Sequence, residues 1–202
     1  ALVIATGASF KKLNVPGEKE LLGRGVSYCA TCDGWFFKDK NIAVIGGGDS
    51  ALEEGIFLTR FASSVKIIHR RNELRAGPLL QKRAKKNKKI SFIWDSVVEK
   101  IQGDDAVTGL LLKNVKNGNN YELPINGVFV FIGNKPNTNL FEKYLDLDEN
   151  GYIKIDDRMM TNIKGVFAAG EVADSFYRQV ITSTGMGAAA AIGVTRLMEN
   201  EV

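Results

Sequence analysis

Three short, unbroken apolar runs punctuate the chain: Ile42 to Ile45, Val128 to Ile132, and Val166 to Ala169, each followed by glycine. Continuous apolar runs of this length predict strands buried on both faces, as in a parallel sheet. Behind the first run, Asp49 to Phe61 carries Ala51, Leu52, Ile56, Phe57 and Leu58 at helical spacing, and Val65 to Ile68 is another apolar run. Strand, helix and strand in this order have the length of one βαβ crossover. From Ile90 to Pro124 the pattern changes to alternating runs broken by Gly103-Asp104-Asp105 and Asn117-Gly118-Asn119-Asn120. That alternation predicts an antiparallel meander or three-stranded flap, although an edge hairpin has the same period.

Two irregular crossings organise these elements. Lys11 to Gly17 and Asn134 to Asn139 are rich in Pro, Asn and Lys and read as domain boundaries. Two crossings imply that a central domain, residues 12–135, is inserted into a second domain made of residues 1–11 and 136–202. The opening Ala1 to Gly7 reads as the end of a buried strand entering a turn, the pattern of an internal cut. Gly185 to Ala191 is a run of small residues and suits a closely packed helix.

Composition narrows the class. Of 202 residues, 45% are apolar and 25% charged, as in ordinary folded domains. No apolar run reaches the ~18 residues of a membrane span, and no basic leader precedes a short apolar stretch, so a soluble, cytoplasmic protein with no membrane partner is expected. The net charge of +4 is uneven, because Lys66 to Lys89 holds ten of the 27 basic residues and a single acid, Glu73. A basic patch on an otherwise acidic chain calls for a local anion. Interleaved aromatics are absent from it, so a phosphate-bearing cofactor is a simpler partner than nucleic acid.

The sequence Gly46-Gly47-Gly48-Asp49-Ser50-Ala51 matches G-x-G-x-x-A after a buried strand and at the opening of a helix. Gly46 permits the tight turn, Gly48 lets a pyrophosphate approach the backbone, and Ala51 allows close helix–strand packing. The helix N-terminus offers unpaired N–H groups to phosphate. A glycine turn without ligand has the same motif, so the end of the next strand carries more weight. There an acid would bond a ribose 2′-hydroxyl, but this chain has His69-Arg70-Arg71 with Arg75 one turn on. Guanidinium forks suit a 2′-phosphate, which favours NADPH over NADH. His69, the only histidine, reads as a phosphate or adenine neighbour.

Cys29-Ala30-Thr31-Cys32 contains both cysteines of the chain. A zinc site needs two further ligands that the sequence does not readily supply, so no metal is expected. A disulfide closing so short a loop adds little by chain entropy. The reading that remains is a dithiol that cycles, with Asp33 beside it either as proton donor or as a cap with Gly34.

With CATCDG, GGGDSALEE and HRRNELR in this order, the chain resembles bacterial-type thioredoxin reductases from its first residue nearly to its last. Ala5 to Gly7, with Thr6 and Gly7, and Ile132 to Thr138, with Ile132 and Gly133, match the family's flavin-domain return. Phe167 to Ala191 matches its C-terminal FAD segment. The resemblance implies an α/β fold of two Rossmann-like, three-layer domains, with the NADPH domain inserted in an incomplete FAD domain. It implies electron flow from NADPH through FAD to the Cys29–Cys32 disulfide and on to thioredoxin, in a homodimer. Cys32 would face the flavin, Cys29 would attack the partner's disulfide, and Asp33 would be the acid. Glu53 or Glu54 would lie near the nicotinamide. Gly170 and Glu171, the latter in place of the usual Asp, would meet the ribityl or phosphate region, and Arg178, Gln179 and Val180 the isoalloxazine ring. The family's N-terminal glycine-rich FAD loop is expected to be missing, with weak FAD binding as the consequence. A peroxiredoxin-system reductase shares this architecture, and a non-catalytic NADPH-binding fragment is the reading from a different class.

Overall fold

The chain starts with β1 (Leu2–Ile4) and β2 (Ala8–Phe10), leaves their unit at Lys11, and returns to it at Asn134. In the computed structural model, which describes residues 1–199, the excursion Lys11–Gly133 forms the second unit. It contains β3 (Val26–Ser27), α1 (Ala30–Asp33), β4 (Asn41–Ile45), α2 (Asp49–Leu58), β5 (Ser64–Ile68), α3 (Pro78–Lys86) and β6 (Ile90–Ile93). Then follow β7 (Ser96–Gln102), β8 (Gly109–Asn114), β9 (Asn120–Pro124) and β10 (Gly127–Val130).

Five of these strands make a parallel sheet in the order β3-β10-β4-β5-β6. Alternation along each strand divides its apolar side chains between two cores. Ile42, Val44, Val65, Ile67 and Phe129 face α2 and α3, meeting Ala51, Leu52, Leu58 and Ala84. Ala43, Ile45, Ile68, Val128 and Val130 face the antiparallel sheet β7-β8-β9, meeting Val98, Ile101, Leu110 and Leu112. The unit is therefore three-layered, with helices, parallel sheet and antiparallel sheet in succession. Each buried Val, Leu, Ile and Phe side chain among these contributes about 1.5–3 kcal/mol relative to exposure. Lys89 fastens the helical layer at its end, its ammonium donating to the Thr59 and Ala62 carbonyls at 2.9 Å just beyond α2.

Several expectations shift. The meander begins at Ser96, because Ile90–Ile93 pairs with β5 and completes the parallel sheet. Its apolar run looked alternating only because the edge strand is half exposed. The run from Val128 leaves the sheet after Val130, which frees Phe131 and Ile132 to line a cavity. The α2 helix stops at Leu58, where Thr59 turns its hydroxyl back to the Ile56 carbonyl.

The first unit resumes with β11 (Asn134–Pro136), antiparallel to β2, and continues through β12 (Val166–Ala168), parallel to β1, to α4 (Val180–Glu199). Ile4, Leu145, Ile153, Ala168 and Val172 form one core, and Phe167, Ala169 and Ala190 another. No unbroken apolar run reaches the length of a membrane span, yet α4 as a whole is long and apolar enough to cross one by length and composition. Its 20 residues pass that test, since alanine, glycine and hydroxyl residues hold charge out of it until Arg196. Most of the helix is exposed among the described residues. Buried core helices pass the same test, and composition alone does not separate the two.

Candidate active site

The turn after β4 is shaped by backbone demands that only glycine meets. Gly46 has φ +147°, and a Cβ there would collide with the Phe131 carbonyl oxygen and come within 2.7 Å of the Ala51 Cβ. A Cβ on Gly47 would run into the His69 imidazole. Gly48 caps α2 in an extended conformation and has open space in front of it, with Arg75 Nη2 the nearest atom at 3.9 Å. The loop from Arg70 to Gly77 is sewn to this turn. The Arg75 and Ala76 amides donate to the Gly47 carbonyl, and the Gly77 amide donates to Asp49 Oδ1 at 2.8 Å. The Asp49 carboxylate is thereby held on the loop.

Between them lies a cavity of about 780 Å³ whose wall includes Gly46, Gly47, His69, Arg70, Arg75 and Ile132. Lys11, Lys12 and Asn14 complete one side, and among the described residues no carboxylate lines it. Lys11 is fixed by its backbone N–H, which donates a hydrogen bond to the Gly133 carbonyl, with its side chain over the left-handed Gly133. Ser50 sits exposed in the first turn of α2, and Ala51 is buried beneath the loop. His69 is buried and its Nε2 has no hydrogen-bond partner among the described residues. Burial pushes its pKa below the ordinary 6.5; the Glu73 backbone opposes this, while Arg75, Arg70 and Arg71 add to the fall. The imidazole is therefore neutral at pH 7.

Some expected members stand apart from this cavity. Arg71 is exposed and absent from its wall. Glu53 lies beside Ile56, Phe57, Arg60, Leu80 and Arg83, on a groove between α2 and α3. Of the ten basic residues from Lys66 to Lys89, only Arg70 and Arg75 line the cavity, and Lys82, Arg83, Lys85 and Lys86 cover the exposed side of α3. The sequence run merged two separate surfaces. Lys11, Lys12 and Asn14 were missed as cavity residues because they reach it from a loop far away in sequence.

The redox pair is carried by a short rigid element. Cys29 caps α1, is half-buried and is joined to the exposed Cys32 by a disulfide. The Cys32 amide donates to Cys29 Sγ at 3.1 Å. Asp33 makes no capping bond, which removes its alternative role; instead it accepts the Ser27 hydroxyl at 2.6 Å. Tyr28 donates to Glu18, a buried carboxylate that also takes the Leu13 and Asn14 amides. One buried acid thus ties the residue before Cys29 to the cavity wall. Burial and Glu18 together raise the Tyr28 phenol far above its ordinary value.

In the other unit, Thr6 and Gly7 are held by Asn137, whose side-chain amide donates to the Thr6 carbonyl and whose backbone amide donates to the Gly7 carbonyl. Gly170, at φ +77°, opens a 3-10 turn containing Glu171. Burial raises the Glu171 pKa above 4.5, with Arg178 opposing and Asp174 adding to the rise. Arg178 donates to Asn134 Oδ1 at 2.9 Å, and Gln179 leads into α4, where Val180 is highly exposed. Asp174 was not anticipated. It is buried and accepts the Phe176, Tyr177 and Arg178 amides and the Thr182 hydroxyl, so it shapes the whole loop before α4. An Asp followed by aromatics is a faint signal in sequence, and only the fold reveals its convergence of donors.

A family model described as pyridine nucleotide-disulphide oxidoreductase matches residues 1–190. The thioredoxin reductase of Streptomyces coelicolor is 54% identical over 193 residues, covering 95% of this chain and 60% of the relative. That of Bacillus subtilis is 49% identical over 200 residues, covering 98% and 63%. The crystal structure of thioredoxin reductase from Streptococcus pyogenes has a TM-score of 0.94 at 48% identity, covering 98% of this chain and 65% of that one. The chain spans about 60–65% of the length of these relatives.

Proposed function

This chain belongs to the pyridine nucleotide-disulphide oxidoreductase family, and on that premise we propose that it serves as a thioredoxin-disulfide reductase using NADPH and FAD. The observation that carries the reading is the pairing, within one unit, of a cationic cavity beside the glycine turn and the Cys29–Cys32 disulfide. Relatives named thioredoxin reductase over nearly the whole of this chain support it.

The cavity fits a phosphorylated dinucleotide. Gly48 leaves room for pyrophosphate at the N-terminus of α2, and Arg75 reaches over it. Arg70 and Arg75 present guanidinium forks for a 2′-phosphate, with Arg71 as an outer cation. Neutral, buried His69 keeps Nε2 available for a polar group of the nucleotide. Glu54, on α2, remains the candidate carboxylate near the nicotinamide, Glu53 being turned to another groove.

The flavin reading rests on the other unit. Thr6, Gly7, Gly170, Glu171, Arg178, Gln179 and Val180 would contact it, and Gly170, Gly185 and Gly187 have open or ordinary space at their Cβ positions. FAD, when bound, supplies the conversion of a hydride into electrons that a disulfide accepts. The residues of the chain bind and orient around it. Cys32 would take electrons first, Cys29 would attack the disulfide of thioredoxin, and Asp33 would protonate the departing thiolate. Homodimerisation and a cytoplasmic setting belong to the same reading.

The test is NADPH-dependent reduction of a thioredoxin disulfide with added FAD, alongside Cys29→Ser and titrations with NADP⁺ and NAD⁺. Tighter binding of NADP⁺ and loss of thioredoxin reduction in Cys29→Ser are expected. Equal affinity for the two nucleotides, or a fully active Cys29→Ser variant, would overturn the assignment.

A further inference from the structure

Ser27 occupies a position that the reading of Cys29, Cys32 and Asp33 leaves unused. It is the last residue of β3, it is 3% exposed, and its backbone is locked in the parallel sheet opposite Phe129. Its hydroxyl makes three contacts around the redox loop. It lies 2.6 Å from Asp33 Oδ2, accepts the Cys29 amide at 3.0 Å, and lies 3.2 Å from the Cys29 carbonyl. A serine has one proton to give. The 2.6 Å separation is that of an O–H···O⁻ bond, while the carbonyl contact is long, so the proton points to the carboxylate.

We propose that Ser27 is a positioning residue that anchors Asp33 Oδ2 to the rigid sheet, so that Oδ1 is held for proton transfer to the redox sulfurs. This rests on the reading of Asp33 as the acid of the dithiol. Asp33 sits where α1 gives way to a 3-10 turn, and its side chain makes no helix-capping bond there. Without Ser27 the carboxylate would rotate freely about two torsions, and a proton donor must lie within hydrogen-bond reach of its acceptor. The same oxygen accepts the Cys29 amide, which leaves its own proton for Asp33.

The step can be written with a small dithiol such as dithiothreitol as reductant. One of its thiolates attacks a sulfur of the Cys29–Cys32 bond; that bond breaks, and the other cysteine sulfur leaves with the electron pair and receives a proton relayed by Asp33, which takes it up at Oδ1 from solvent, where dithiothreitol released it on forming its thiolate. The reductant's second thiolate then displaces the mixed disulfide, whose cysteine sulfur leaves and is protonated in turn. The protein disulfide gains two electrons and two protons, and dithiothreitol becomes its cyclic disulfide.

The experiment measures the rate at which dithiothreitol reduces the disulfide of this chain, by quenching, alkylating and weighing the products. Four variants are compared: Ser27→Ala, Ser27→Thr, Asp33→Asn, and Ser27→Ala with Asp33→Asn. Asp33→Asn is expected to slow reduction by about 10²-fold, the lower range of general acid catalysis, and Ser27→Ala by about tenfold. Ser27→Thr, which keeps the hydroxyl, should restore most of the rate. In the Asp33→Asn background Ser27→Ala should have no further effect, because its action runs through that carboxylate. Multiplying losses in the double variant, or a wild-type rate in Ser27→Ala, would overturn the role of Ser27. A wild-type rate in Asp33→Asn would instead remove Asp33 from the chemistry and with it the reading beneath.

Discussion

The Arg75 amide donates to the Gly47 carbonyl at 2.7 Å, which clamps the arginine-bearing loop onto the glycine turn. The same arginine then extends its guanidinium over Gly48, 3.9 Å from where a Cβ would stand. The arginine-bearing loop and the glycine turn are consequently one unit, and on the proposed reading changes to either should be felt in nucleotide binding.

Replacing Arg70 and Arg75 together by Ala is expected to weaken NADP⁺ binding about 10²-fold or more, as two charge-assisted contacts are lost. NAD⁺ binding should fall much less, because it loses only the Arg75 contact at the pyrophosphate. Calorimetric titration with both nucleotides checks this, and a retained preference for NADP⁺ would transfer the phosphate to Lys11 or Lys12, which share the cavity wall.

Gly46 and Gly48 should separate folding from binding. Gly46→Ala forces a side chain into a left-handed position against the Phe131 carbonyl and Ala51, and should destabilise the fold by about 3 kcal/mol. Gly48→Ala meets no close atom and has ordinary backbone angles, so urea unfolding should move little. Its nucleotide affinity should nevertheless fall, since the methyl group stands where pyrophosphate approaches.

His69 links stability to pH. Its folded pKa lies below the ordinary 6.5, chiefly through burial, so the unfolded chain binds the proton more readily. Stability is therefore full above the unfolded value and declines as pH falls from about 6.5 toward the depressed folded value. Melting temperatures from pH 8 to pH 5 should show this fall, and His69→Gln should flatten that part of the curve.

Asp174 carries the opposite charge, yet its stability changes with pH in the same direction. Burial favours its protonation, but the Arg178, Tyr177 and Phe176 amides and the Thr182 hydroxyl outweigh that and hold its pKa below 3.8. The stabilisation is present above the unfolded value and is lost as pH falls through the folded one. Asp174→Asn, which places an amide donor among these donors, should cost about 1–3 kcal/mol at pH 7. The difference from wild type should shrink at pH 3, as judged by urea denaturation.

The glycine turn, the cysteine loop and the βαβ unit are legible in the linear chain. Each is local, so the glycines, the C-x-x-C pair and the arginines after β5 display their chemistry within a few residues of one another. The Ile90–Ile93 run was placed in the wrong sheet because hydrophobic period is local, whereas the choice of strand partner is made by the rest of the chain. Only the tertiary structure parted Arg70 and Arg75 from the lysines of α3, and only it brought Lys11 and Lys12 to the cavity. It alone set Ser27 against Asp33 and gathered the donors around Asp174, because a buried polar group is specified by which partners reach it in space.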